Sequence, residues 1–98
     1  MEEKNWETIK DFIQKALLEA KSDLDRETIS AVEHYIQHDE YEMAFEGLFI
    51  EIMNLNKETH INKVRTLEVA RLLELDKETV FEVNFWQNLV NFCSGKQT

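Results

Sequence analysis

Residues that break helices and form turns are scarce in this chain. It has no proline and only two glycines, Gly47 and Gly95, among 98 residues. A turn-rich β fold depends on such residues, so their scarcity favours helices. A single cysteine, Cys93, excludes a disulfide within the chain and agrees with a reducing compartment.

Long apolar runs are also missing. No segment approaches the roughly 18 apolar residues that mark a membrane span, and the acidic start from Met1 to Lys4 lacks the basic residues of a secretory signal. We therefore expect a cytoplasmic protein. With 43% hydrophobic residues and ten aromatic ones, the chain is too apolar to be disordered. Its length suits one domain with one core.

Positive charge is absent from the middle of the chain. From Glu27 to Asn56 there are seven acidic residues and no lysine or arginine, within a chain of 20 acidic and 11 basic residues and a net charge of −9. Such a field repels nucleic acid and anionic membranes, and it speeds the encounter with a basic partner. The segment indicates either a docking surface for a basic protein or a solvated face without a partner.

The spacing of apolar residues predicts about five helices that form one all-α bundle over the whole chain. The third helix, from about Tyr41 to Asn54, is apolar over most of its circumference and should be central. The first should pack against it. The second should begin near Arg26, with Asp23 or Asp25 as its cap.

The last two helices have less regular patterns. The apolar positions of the fourth are Ile61, Val64, Val69, Ala70, Leu72, Leu73 and Leu75. Further on, Phe81, Val83 and Phe85 alternate as they would in a strand, but no second strand is available to pair with it. We therefore predict a fifth helix from about Phe81, followed by a frayed tail over residues 93–98.

A short corner joins the second and third helices. It runs from His38 to Tyr41, and Asp39 and Glu42 have the spacing of a capping box that opens the third helix. Inside that helix, Gly47 costs helical stability and predicts the close approach of a neighbouring segment.

The sequence around this corner resembles a known family. The matching run is Tyr35-Ile36-Gln37-His38-Asp39-Glu40-Tyr41-Glu42-Met43-Ala44-Phe45-Glu46-Gly47-Leu48. It is similar to the signature Y-I-x-H-G-E-Y-x-x-A-x-E-x-L of small helical immunity proteins from bacterial polymorphic-toxin and contact-dependent growth inhibition systems, including the Maf-type immunity proteins. Weaker similarity follows in Leu67 to Asp76 and in Phe85 to Val90. Asp39 and Glu74 stand where the family has glycine.

The resemblance implies a protein that acts by binding and has no catalysis of its own. Its partner would be the basic C-terminal domain of a cognate toxin, commonly an RNase or DNase whose groove holds phosphates. We expect no direct contact with nucleic acid, membrane or a small-molecule substrate. The candidate partner-binding residues are Glu27, Glu33, Asp39, Glu42, Glu46 and Glu51, with Tyr35 and Tyr41 as aromatic anchors if they are exposed. Because Glu40 and Glu46 match the signature, they are also candidates for structural roles.

Three other chemistries have weaker support. His34 and His38 are four positions apart and would bind a metal ion if a third ligand converged on them. Glu42 and Glu46 share a helix face like an acid-base pair, but no phosphate loop or activated nucleophile accompanies them. Cys93 has no adjacent base. We therefore predict no enzymatic activity, cofactor or metal. The alternative function is an acidic helical adaptor or regulatory subunit that binds a basic host protein.

Overall fold

The computed structural model describes residues 5–95. Its helices are α1 (Trp6–Ala20), α2 (Arg26–Gln37), α3 (Tyr41–Asn54), α4 (Lys63–Leu72) and α5 (Phe85–Cys93), with a 3-10 turn at Lys21–Asp23. The described residues contain no strand, so the prediction of an all-α fold with five helices is confirmed. Within the same range, no helix combines the length and apolar character that crossing a lipid bilayer requires.

The third helix, α3, is the centre of the bundle. Five of its apolar side chains are fully buried, namely Ala44, Phe45, Leu48, Phe49 and Ile52. Helices α1, α2 and α5 pack against it. The ring of Phe12 on α1 stacks 6.2 Å from the rings of both Phe45 and Phe49, while Phe85 on α5 meets Phe45 edge-on at 6.3 Å. The predicted pairing of the first and third helices is therefore confirmed.

Side-chain caps begin three of the helices. Asn5, Asp25 and Asn62 each accept the backbone N–H three residues further on, at 3.1, 2.8 and 2.9 Å. Each cap satisfies one of the N–H groups that a helix start leaves without a partner. Of the two residues predicted to cap α2, Asp25 does so, and α2 begins at Arg26 as expected.

Three helices end in residues with left-handed backbone conformation that are not glycine, and one of these is Asn56, after α3, with a φ of 56°. Asp39, after α2, has a φ of 57°, and Glu74, after α4, has a φ of 61°. The N–H of Glu40 donates to the carbonyl of Tyr35 at 2.8 Å, and the N–H of Asp39 donates to that of Ile36 at 3.1 Å. This bond pair is a Schellman motif, and α4 ends in the same pair around Glu74. Both residues stand where the resembled family has glycine.

The fourth helix differs from its prediction. It covers only Lys63–Leu72, and Ile61 and Leu75 lie outside it although both are buried. Val64, predicted on the apolar face, is 71% exposed, whereas Thr66 is fully buried. The Thr66 hydroxyl donates to the carbonyl four residues earlier at 2.7 Å. Because its polar group is satisfied inside the helix, threonine can face the core.

The fifth helix begins later and ends later than predicted. It starts at Phe85 instead of Phe81, and a side chain of α3 binds the N–H groups of residues 80–82 ahead of it. Cys93, assigned to the frayed tail, is the last residue of α5 and is half-buried against the core. Residues 96–98 of that predicted tail lie outside the described residues.

Candidate functional site

The acidic residues of the 27–51 segment lie on several sides of α2 and α3. Glu27, Glu33 and Asp39 are exposed, and Glu42 and Glu51 are half-buried. At about 100° per residue, Glu42 and Glu51 point to opposite sides of α3 because nine positions separate them, and Glu27 and Glu33 lie about 120° apart on α2. The structure therefore does not gather the predicted acids into one continuous patch.

Glu46 is fully buried. Its carboxylate accepts backbone N–H groups from Val80 at 2.7 Å, Phe81 at 2.7 Å and Glu82 at 2.8 Å. Charge-assisted bonds of this kind offset the cost of removing a carboxylate from water. The prediction that Glu46 contacts a partner is wrong, because the side chain is inaccessible and its oxygens are occupied by the chain itself. Its role is structural, which the match to the signature had also allowed.

The three bonds to Glu46 fix the segment between α4 and α5, and we call residues 76–84 the clamped loop. Within it, the Thr79 hydroxyl donates to the Glu82 carbonyl at 2.6 Å. The N–H groups that bind Glu46 belong to residues 80–82, which lie ahead of α5. The sequence signal for this contact was the position of Glu46, an acidic residue in an otherwise apolar stretch of the central helix.

The clamped loop presents three apolar side chains to solvent, and sequence reasoning missed them. Val80 and Phe81 are each 47% exposed, and Val83 is 93% exposed. The Phe81 ring lies 6.2 Å from the Tyr35 ring on α2, centroid to centroid. It also lies beside Gly47 of α3, where a Cβ atom would be 3.7 Å from the Phe81 ring. The apolar tip of the loop therefore rests against α2 and α3.

The two tyrosines of the corner have different environments. Tyr41 is buried beneath Trp6, whose ring stacks on it at 5.6 Å, and its hydroxyl donates to Asp39 at 2.9 Å. Burial raises the pKa of Tyr41, and the hydrogen bond to Asp39 and the charge of Asp39 raise it further. Tyr41 therefore lacks the exposure that an anchor requires. Tyr35 is half-buried, with its ring against Phe81.

The predicted capping box does not form. Asp39 precedes the helix cap, which is Glu40, and neither it nor Glu42 caps α3, since no side chain bonds to that helix start. Asp39 instead takes the left-handed position of the Schellman motif and binds the Tyr41 hydroxyl. The corner is nevertheless as short as predicted, because α2 ends at Gln37 and α3 begins at Tyr41.

The histidine pair lies on one face of α2, as its spacing predicts. The rings of His34 and His38 are 4.3 Å apart, centroid to centroid, and both residues are exposed. Within residues 5–95, no group of three or more His, Cys, Asp or Glu side chains could hold a metal ion. Two histidines alone fall short of the ligand number of a structural zinc site.

Cys93 is a packed thiol. Burial raises its pKa to about 11, although the charge of Lys63 opposes this shift. The thiolate is the reactive form, so Cys93 is a poor nucleophile at neutral pH.

No protein-family model, curated protein or solved structure matches this chain.

Proposed function

We propose that this protein is an immunity protein that binds a basic toxin domain in the bacterial cytoplasm and neutralises it. The observation that carries the proposal is the positive φ of Asp39 and Glu74, the two positions at which the resembled family has glycine. Positive φ is uncommon outside glycine, and among the described non-glycine residues Asn56 alone shares it with these two. The backbone thus adopts the conformation that the signature implies at both positions, although the residue types differ.

The charge of the molecule supports the same proposal. A nuclease toxin holds its substrate in a basic groove, and an acidic protein is attracted to that groove by the same field. The net charge of −9 and the exposed carboxylates of α2 and the corner suit occlusion of such a groove. With Glu46 and Tyr41 removed as buried, the remaining candidate contacts are Glu27, Glu33, Asp39, Glu42, Glu51 and Tyr35.

The test is co-expression with the C-terminal domain of the toxin encoded immediately upstream. We expect growth rescue and a complex that co-purifies. Replacing Glu33 and Glu42 together with lysine should weaken the complex about tenfold or more, since it places like charges against the toxin.

The matched control is the pair Glu19→Lys and Glu68→Lys, which makes the same change of net charge at exposed positions of α1 and α4. It should leave affinity nearly unchanged if the acids of α2 and α3 form the interface. Absence of both rescue and complex would contradict the proposal and favour the adaptor function.

A further inference from the structure

The clamped loop combines a rigid backbone with exposed apolar side chains. Between the buried residues Leu75 and Phe85, the apolar side chains of the loop are Val80, Phe81 and Val83, and each is 47% exposed or more. Packing against α2 and α3 therefore accounts for only part of their apolar surface. Yet a buried carboxylate and three short hydrogen bonds hold this segment in one conformation.

This combination is typical of a binding epitope. Fixing side chains before association lowers the entropy lost on binding, so a rigid aromatic residue contributes more to affinity than the same residue on a mobile loop. Apolar side chains scattered singly over a surface need no explanation, but a cluster held in place by a buried charge does.

We propose that Tyr35, Val80, Phe81 and Val83, which we call the Phe81 face, are the apolar anchor of the interface with the toxin. They would fill an apolar pocket that lysine and arginine residues surround on the toxin domain. This inference rests on the proposed function and assigns the contact that fixes the orientation of the complex.

Charge complementarity identifies the occupant as a basic protein. The clamped loop carries the exposed acids Asp76, Glu78 and Glu82 against one lysine, Lys77, which itself lies 3.8 Å from Glu74. An apolar centre with an acidic rim matches an apolar pocket with a basic rim. A second copy of this chain would bring acidic rims together between molecules of net charge −9.

The Phe81 face also selects among the candidate acids. Glu42 lies one turn before Glu46, on the side of α3 that faces the clamped loop, whereas Glu51 points away from it. On α2, Glu33 lies about 200° around the helix from Tyr35, beside Lys21, whose amino group is 3.7 Å away. We therefore assign Glu42 to the rim of the apolar anchor, which Glu33 and Glu51 do not border.

The experiment measures affinity for the same toxin domain after apolar truncation. Val83→Ser removes an apolar contact from a side chain that is 93% exposed, so the fold should be unaffected. The matched control is Val64→Ser, at a 71% exposed position on α4. Phe81→Ala is compared with Leu18→Ala, at a 72% exposed position on α1. Thermal unfolding establishes that each variant is folded.

We expect Phe81→Ala to weaken binding about 30-fold or more and Val83→Ser about threefold or more, with both controls within about twofold. If the wild type binds the toxin and both loop variants bind equally well, the Phe81 face is not the anchor but the proposed function stands. If the wild type does not bind the toxin, both proposals fail. A concentration-dependent dimer that Phe81→Ala abolishes would show that the occupant is a second copy and overturn the inference.

Discussion

Glu46 has a structural role that its charge alone would not indicate. A buried carboxylate is costly unless hydrogen bonds replace the water that it loses. Here three N–H groups do so, and they come from residues 34 to 36 positions further along the chain. One side chain of α3 therefore determines the conformation of a distant loop.

Glu46→Gln should destabilise the protein by about 3 kcal/mol, because the amide has one accepting oxygen and its NH₂ group opposes N–H donors. Chemical denaturation measures this loss, and hydrogen exchange at Val80 to Glu82 should become faster. Glu42→Gln, one turn earlier and half-buried, is the control and should change stability by less than about 0.5 kcal/mol. Unchanged exchange in the Glu46 variant would contradict a clamping role.

Cys93 gives the stability a dependence on alkaline pH. Burial raises its pKa from 9.0 to about 11, so the folded state holds the thiol proton more tightly than the unfolded state does. The stabilising contribution is complete below pH 9 and is lost as the pH rises towards 11. Urea unfolding at pH 8 and pH 10 should show a larger loss for wild type than for Cys93→Ala. Equal losses of stability in the two proteins would contradict a contribution from Cys93.

At the scale of elements, the helix ends have a conformational cost. Residues with a Cβ atom take the left-handed conformation there, at positions where the resembled family has glycine. Glu74 has a φ of 61°, a conformation that costs a residue with a Cβ atom roughly 1 kcal/mol or more. Glu74→Gly should therefore raise the melting temperature by a few degrees, corresponding to about 0.5 to 1 kcal/mol. Glu74→Ala, which keeps the Cβ atom, should not stabilise the protein. Calorimetry of the two variants separates these outcomes.

Gly47 lies inside a helix, where glycine is less favourable than a residue with a Cβ atom, in contrast to the left-handed helix ends. The predicted close neighbour is Phe81, but the added Cβ atom would lie 3.7 Å from its ring, an ordinary contact distance. Gly47→Ala should therefore stabilise the protein by about 0.5 to 1 kcal/mol through the higher helix propensity of alanine. A higher denaturation midpoint with an unchanged slope is the expected result. A lower midpoint would mean that Phe81 cannot accommodate one methyl group.

At the scale of the whole molecule, the charge acts over a distance that salt controls. The described structure measures 35 × 27 × 24 Å. The electrostatic screening length is about 30 Å at 0.01 M salt and about 8 Å at 0.15 M. At low salt nearly every acid therefore attracts a basic partner, whereas at physiological salt only those near the interface do.

Under the proposed function, the association rate with the toxin domain should accordingly fall by about tenfold or more between 0.01 and 0.15 M salt. The dissociation rate should change much less, because an apolar anchor is not screened by ions. Stopped-flow association and a competition chase measure the two rates. An association rate that is independent of salt would contradict steering by the acidic charge.

Features set by neighbouring residues were predictable from the sequence. The start of α2 follows from its side-chain cap, and the start of α3 follows from the apolar pattern of that helix. The central place of α3 follows from its apolar circumference. The conformation of the loop before α5 was not predictable, because it depends on a contact with Glu46 across 34 to 36 positions. Val64 was predicted to face the core but is exposed. Thr66 takes the buried position because a local hydrogen bond satisfies the Thr66 hydroxyl.

The sequence by itself determined the helical class, the number of helices, the short corner and the sign of the charge, because these depend on composition and on residues within a turn or two of one another. Only the tertiary structure decided which side chains are available to a partner. It removed Glu46 and Tyr41 from the surface and placed Phe81 and Val83 on it. Exposure depends on what packs against a residue, and distant segments of the chain supply that packing.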